Sequence, residues 1–168
     1  RALPFIYSAI IAVFFVFNSF TANANQSIDR LAWQNMDHEL NQQPRLTYQK
    51  LESQADTLVN AAPIDKLWWL LRKAQAENLL YLFSEFEQTV TTAQTIIDDK
   101  TPDRIAINFD IFYGVILQRQ GKYQQSQSLL KKAQQAAIKY KLTDLVVKAK
   151  LELAYTRSLT GLYEYSLT

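Results

Sequence analysis

The chain has no cysteine, one histidine, three glycines and four prolines in 168 residues. Without cysteine there is no disulfide framework, no thiolate metal site and no thiol nucleophile. A metal centre would have to rely on carboxylates around His38, whose neighbours Asp37 and Glu39 point in different directions on a helix. Asp98, Asp99 and Asp103 lack the alternating spacing and closing glutamate of a calcium loop and read as a helix-end cluster. Charge is sparse too. Charged residues make up 20% of the chain and the net charge is +2, without a long basic patch or an acidic tail. Nucleic acid is excluded as a partner on these grounds. There is no G-x-S-x-G, no glycine-rich phosphate loop and no H-E-x-x-H. No catalytic residue, metal or cofactor is expected in the chain.

What is present is apolar and helical. Apolar residues make up 48%, enough for a globular core. So few chain breakers favour long helices over the many turns of an all-β fold. Residues 1–24 read as a secretory signal: Arg1, an apolar run from Ala9 to Phe17, and the small-x-small pattern Thr21-Ala22-Asn23-Ala24. The mature chain is expected to begin at Asn25. That run is shorter than the roughly 20 residues needed to cross a bilayer.

Every later segment has helical spacing. Residues 25–63 form a leading helical region, with Ile28, Leu31, Ala32, Met36 and Leu40 near a 3.6-residue period. Pro44 opens a helix expected to bury Leu46, Leu51, Ala55, Leu58 and Val59, and Pro63 opens the next. In that next helix Leu67, Leu71, Ala74 and Leu79 form one face, widened by Trp68, Trp69 and Leu80. The tryptophan pair reads as core and inter-helix packing. Ser84 and Glu87 read as a capping box, and Val90, Ala93, Ile96 and Ile97 follow on one stripe. Thr101, Pro102 and Asp103 predict a stop and restart, with Thr101 as cap and Pro102 at the first helical position. The helix that follows is apolar on two faces, Ile105, Phe109, Phe112 and Ile116 on one, Ile107, Ile111 and Val115 on the other. The helix after Gly121 carries a single stripe through Ser126, Leu130, Ala133 and Ala137. Thr143 is read as the cap of the helix after that.

Two-faced and one-faced helices therefore alternate. This predicts an all-α, right-handed α-solenoid of antiparallel helix pairs, the inner helices covered on both sides. The repeat unit is visible in "GKYQQS" at Gly121 and "GLYEYS" at Gly161, forty residues on. Tyr123 and Tyr163 follow the two glycines, and the small residues Gly114 and Ala154 precede them by seven. Glycine suits a turn with positive φ, tyrosine a plug between the paired helices, and a small residue a close crossing. Ser84, Phe86 and Glu77 read as a degenerate earlier copy, 37 residues before Gly121.

Leu117, Gly121, Tyr123, Leu130 and Ala133 fall where tetratricopeptide repeats (TPRs) place their signature residues, so residues 64–168 resemble a TPR array with long helices. HEAT and armadillo arrays share the period, but the G-x-Y turn is not their mark. A signal, a helical leader, "KLWWLLRKAQAENLLYLFSEFEQTV" and long repeats also resemble the periplasmic region of membrane-bound GGDEF proteins, bacterial diguanylate cyclases. The resemblance implies an extracytoplasmic sensory or protein-interaction module on the periplasmic side of the inner membrane. It implies a membrane span and a catalytic domain beyond Thr168. A free periplasmic TPR adaptor is the alternative. The family's groove positions map onto Asn78, Tyr81, Asn108, Gln118, Arg119, Lys148, Tyr155 and Ser158. Such a groove suits a peptide or a partner's acidic segment, and the reading is compatible with a homodimer.

Overall fold

The computed structural model describes the backbone of residues 36–166 and the side chains of residues 36–161. The expected signal and the start of the leading region lie outside them, as does the Tyr163 side chain. Seven α-helices are described: α1 Asp37–Gln42, α2 Pro44–Ser53, α3 Pro63–Leu79, α4 Phe83–Gln94, α5 Asp103–Arg119, α6 Tyr123–Lys139 and α7 Thr143–Ser166. A 3₁₀ turn, Ala55–Leu58, follows α2. Consecutive helices pack antiparallel, and α3 touches α5 as α5 touches α7. The helix starts Pro63, Asp103 and Thr143 are forty residues apart, and so are Phe83 and Tyr123.

The spacing is written into the turns. Tyr81, Gly121 and Lys141 have φ of 59°, 72° and 58°. Each follows a helix in the same hydrogen-bonded closure. At Gly121, the Lys122 amide donates to the Leu117 carbonyl and the Gly121 amide to that of Gln118. Tyr81 and Lys141 repeat both bonds, Leu82 to Glu77 and Tyr81 to Asn78, Leu142 to Ala137 and Lys141 to Ile138. This is the Schellman motif, which satisfies the last carbonyls of a helix and turns the chain back.

The earlier copy is therefore in a different frame from the one expected. Tyr81, not Ser84, stands at Gly121's place, and Ala74, not Glu77, stands at Gly114's. Ser84 does not cap α4. The helix starts at Phe83 with Leu82 before it and no side-chain cap, because the closure at Tyr81 fixes where α4 begins. Pro102 likewise precedes α5, which begins at Asp103, while the Thr101 hydroxyl donates to Asp98 Oδ1 at 3.0 Å instead of capping. Thr143 is the first residue of α7.

Gly161 differs more. A turn is expected there, yet α7 runs through it to Ser166. Glycine permits a positive φ without demanding it, and helical glycine is only about 1 kcal/mol worse than alanine. Among the described residues, nothing lies within 4 Å of where its Cβ would be. Ala154, expected beneath a crossing helix, is exposed.

Two apolar clusters meet at α5. One joins Met36, Leu40, Leu51 and Leu58 to α3, α4 and α5, with Phe109 and Ile116 of α5 inside it. The other joins Ile107 and Ile111 to Leu130, Ala133 and Ala137 of α6 and to α7. Both predicted faces of α5 are buried, with Val115 in the first cluster rather than the second. Leu46 and Val59, expected inside, are 60% and 71% exposed. The α-helix stops at Ser53, and the tighter 3₁₀ turn breaks the 3.6-residue stripe. Leu79 is exposed as well, at the end of α3. Trp69 is core, its indole N–H donating to the Leu51 carbonyl at 3.0 Å. Glu77 is fully buried; among the described residues neither of its oxygens has a hydrogen-bond partner, and Lys73 Nζ is 3.8 Å away. Burial pushes its carboxyl up to about 7, against the pull of Thr89 and Lys73.

Candidate functional site

Because α3, α5 and α7 start forty residues apart, equivalent positions on them lie in rows. Trp68, Asn108 and Lys148 form one row, and Arg72, Phe112 and Glu152 another. These rows, with Asp37 of α1, line a groove. Its first hollow, about 480 Å³, lies among Asp37, Trp68, Arg72, Asn108, Asp144 and Lys148. A second, about 230 Å³, shares Asp37, Gln75 and Lys148 with it. A third, about 530 Å³, shares Asn78 and Leu79 with the second and reaches Arg119, Tyr81 and Tyr155.

The cations of the groove are held differently. Arg72 is buried and pairs with Asp37, and its guanidinium also donates to Gln75 Oε1 at 2.8 Å. Arg104 forks onto Asp144 at 2.6 and 2.9 Å. The fork raises the Arg104 pKa and lowers that of Asp144. Among the described residues, Lys148 has no carboxylate at contact distance. Its Nζ donates to Asn108 Oδ1 at 3.2 Å and sits 4.0 Å from the Phe112 ring centroid. Burial pushes its pKa down to about 8, with Glu152 and Asp144 pulling the other way. An ammonium has three donors, and only one is used here. Arg119 donates to Asn78 Oδ1 at 2.8 Å and lies 3.9 Å over the Phe83 ring, and burial lowers its pKa.

Seven of the eight expected groove residues line these hollows: Asn78, Tyr81, Asn108, Gln118, Arg119, Lys148 and Tyr155. Ser158 lines none of the three, and its hydroxyl donates to the Ala154 carbonyl. Two of the seven are committed internally. Gln118 Nε2 donates to the Glu152 carbonyl and to Thr156 Oγ1, stitching α5 to α7. Asn108 Nδ2 donates to the Arg104 carbonyl, leaving its oxygen to hold Lys148. Tyr81 and Tyr155 stand on the rim, 76% and 56% exposed.

Trp68, Arg72, Gln75, Arg104, Asp144 and Glu152 were not expected in the groove. Carrying the forty-residue spacing back from Lys148 and Tyr155 reaches Trp68 and Gln75, whereas the 37-residue frame misses both. Asp37 comes from outside the spacing and has no such signal. The groove thus combines a half-buried ammonium on an aromatic ring, guanidiniums paired with carboxylates, and an apolar rim. In comparisons with known proteins, no family model matches the chain, and no curated protein or solved structure matches it either.

Proposed function

We propose that the chain is the extracytoplasmic, TPR-like sensory or protein-interaction module of a bacterial signalling protein, a diguanylate cyclase, and that its groove binds an acidic peptide segment. On this reading the helix pairs are units of a right-handed α-solenoid, and catalysis by the cyclase belongs to a domain outside the 168 residues. The forty-residue spacing of helix starts supports the solenoid. The signal-like sequence of residues 1–24 supports a periplasmic setting, with the whole protein held at the inner membrane. Among the described residues no helix is long and apolar enough to cross a membrane, so the proposal assigns that attachment elsewhere.

The observation that carries the groove reading is Lys148: a cation in a concave site, desolvated, resting on Phe112, with no carboxylate in contact among the described residues. A partner's carboxylate would complete it, since charge-assisted hydrogen bonds are about twice as strong as neutral ones. Fluorescence anisotropy with labelled glutamate-rich peptides and the whole chain tests this. Binding that Lys148→Met weakens tenfold or more is expected. No binding, or binding indifferent to Lys148→Met, overturns it.

A further inference from the structure

The outer face of α6 carries charge of one sign. Lys131, Lys132 and Lys139 stand on it and Lys141 in the turn that follows, all exposed. From Ile111 to Thr143 the chain has no aspartate or glutamate. Asp144, where acidic residues resume, is taken by Arg104. Among the described residues none of the four lysines is in an ion pair. Two apolar side chains share the same end of the helix, Ile138 and Tyr140, 56% and 42% exposed. Ile138 lies two helical turns beyond Lys131, as Lys139 lies two turns beyond Lys132, so each pair is on one side. Lys139 Nζ sits 5.0 Å from the Tyr140 ring centroid. No basic run marks this patch in the sequence, because the helix gathers it.

The face is not open for want of a neighbour. Forty residues earlier, Thr91 and Thr92 of α4 hold the places of Lys131 and Lys132. Both are exposed although α5, α6 and α7 follow them in the fold. A helix pair added in the same way leaves the outer face of α6 open too. The sign is reversed on α4, where Glu85 and Glu87 are exposed and no cation occurs from Phe83 to Asp99.

None of the three groove hollows reaches α6, so its outer face does not share the peptide site. Its cations are all lysines, compact point charges on flexible stems, rather than arginine forks matched to one carboxylate. Lysine stems lie along apolar surface with the ammonium in water, and tyrosine suits a boundary between apolar and wet. Such a face matches a plane of negative charge with an apolar layer beneath it. We infer that the Lys131–Lys132–Lys139–Lys141 face of α6 docks on an anionic lipid surface, with Ile138 and Tyr140 entering the headgroup layer. The acidic α4 is turned away from that surface, which fixes the orientation of the molecule on it.

The chain has no cysteine, so Ile138→Cys gives a single labelling site, and Thr92→Cys gives its control on α4. Each whole-chain variant is labelled with a polarity-sensitive fluorophore and titrated with two kinds of vesicle. One is pure phosphatidylcholine, the other equal parts phosphatidylcholine and phosphatidylglycerol. The label at 138 is expected to shift to the blue on the anionic vesicles only, reversibly with salt, and the label at 92 to stay unchanged. Lys131→Glu with Lys139→Glu is expected to lower the vesicle affinity read at 138 at least tenfold with circular dichroism unchanged. An unshifted label at 138, an equal shift on neutral vesicles, or a shift that survives the two lysine substitutions overturns the inference. So does soluble polyglutamate that shifts the label more than the vesicles do, because the occupant is then an acidic protein.

Discussion

The Ser126 hydroxyl donates a 2.8 Å hydrogen bond to the Gly114 carbonyl, twelve residues back on the facing helix. That bond and the missing side chain at Gly114 work together. A Cβ at Gly114 would lie 2.7 Å from both Leu130 Cγ and Cδ2, well inside contact distance. Gly114→Ala is expected to destabilise the chain by about 1–2 kcal/mol in urea unfolding, the overpacking exceeding the gain in helix propensity. In a Leu130→Ala background the same change is expected to be neutral or stabilising. Additivity of the two would show that no crowding exists there.

The αL turns make an opposite pair. Lys141 is exposed with a φ of 58°, a region where a side chain is strained. Lys141→Gly is expected to stabilise by about 0.5 kcal/mol, after subtracting the extra freedom glycine gives the unfolded chain. Gly121→Ala is expected to destabilise by about 1 kcal/mol at the equivalent position. Chemical denaturation of the two variants side by side checks the sign of each.

Glu77 is a buried carboxyl where the equivalent position on α5 holds Leu117. Its folded pKa of about 7 lies above the ordinary 4.5 of a glutamate. Between those values the folded chain binds more protons than the unfolded one, so stability falls as pH rises through this window. Glu77→Leu is expected to raise stability at pH 7 by about 1–3 kcal/mol, the usual penalty for a buried polar group that makes no full hydrogen bond. It is also expected to flatten the pH dependence from 4.5 to 7. Lys73 keeps Glu52 at 2.6 Å in that variant, so no buried cation is orphaned.

Lys148 has the opposite sign. Its pKa falls from 10.5 to about 8 on folding, so the unfolded chain holds the extra proton between those values. Stability is then expected to rise from pH 8 to 10.5, and Lys148→Met is expected to remove that rise. Calorimetry at pH 8 in two buffers of different ionisation enthalpy should show proton uptake when an acidic peptide binds.

Much of the fold was readable before any coordinates because apolar periodicity is strong here. The two-faced α5 and one-faced α6 follow from Ile105, Phe109, Ile107 and Ile111 against Ser126, Leu130 and Ala133. The first turn was not readable. Tyr81 occupies an αL position where glycine is the usual marker, so Ser84 and its capping pattern drew the frame three residues too far. Gly161 errs in the other direction, a marker without the turn. In the groove, Asn78, Arg119 and Lys148 followed from their positions in the repeat. Gln118 looked available only because sequence cannot show that Thr156 and the Glu152 backbone take its amide. Asp37 was invisible, since its partner Arg72 lies 35 residues away with no pattern linking them.

The place of α5 between two apolar clusters bears on how the molecule comes apart. Phe109 and Ile116 belong to one cluster and Ile107 and Ile111 to the other, so losing α5 removes a wall from both. A shared wall couples the two halves, and unfolding is expected to be a single event rather than a peeling from either end. The α5 amides should be the last to exchange with deuterium, opening only with the whole chain. Strain entering the groove through Lys148 would press on Phe112 in that same wall and reach both halves together.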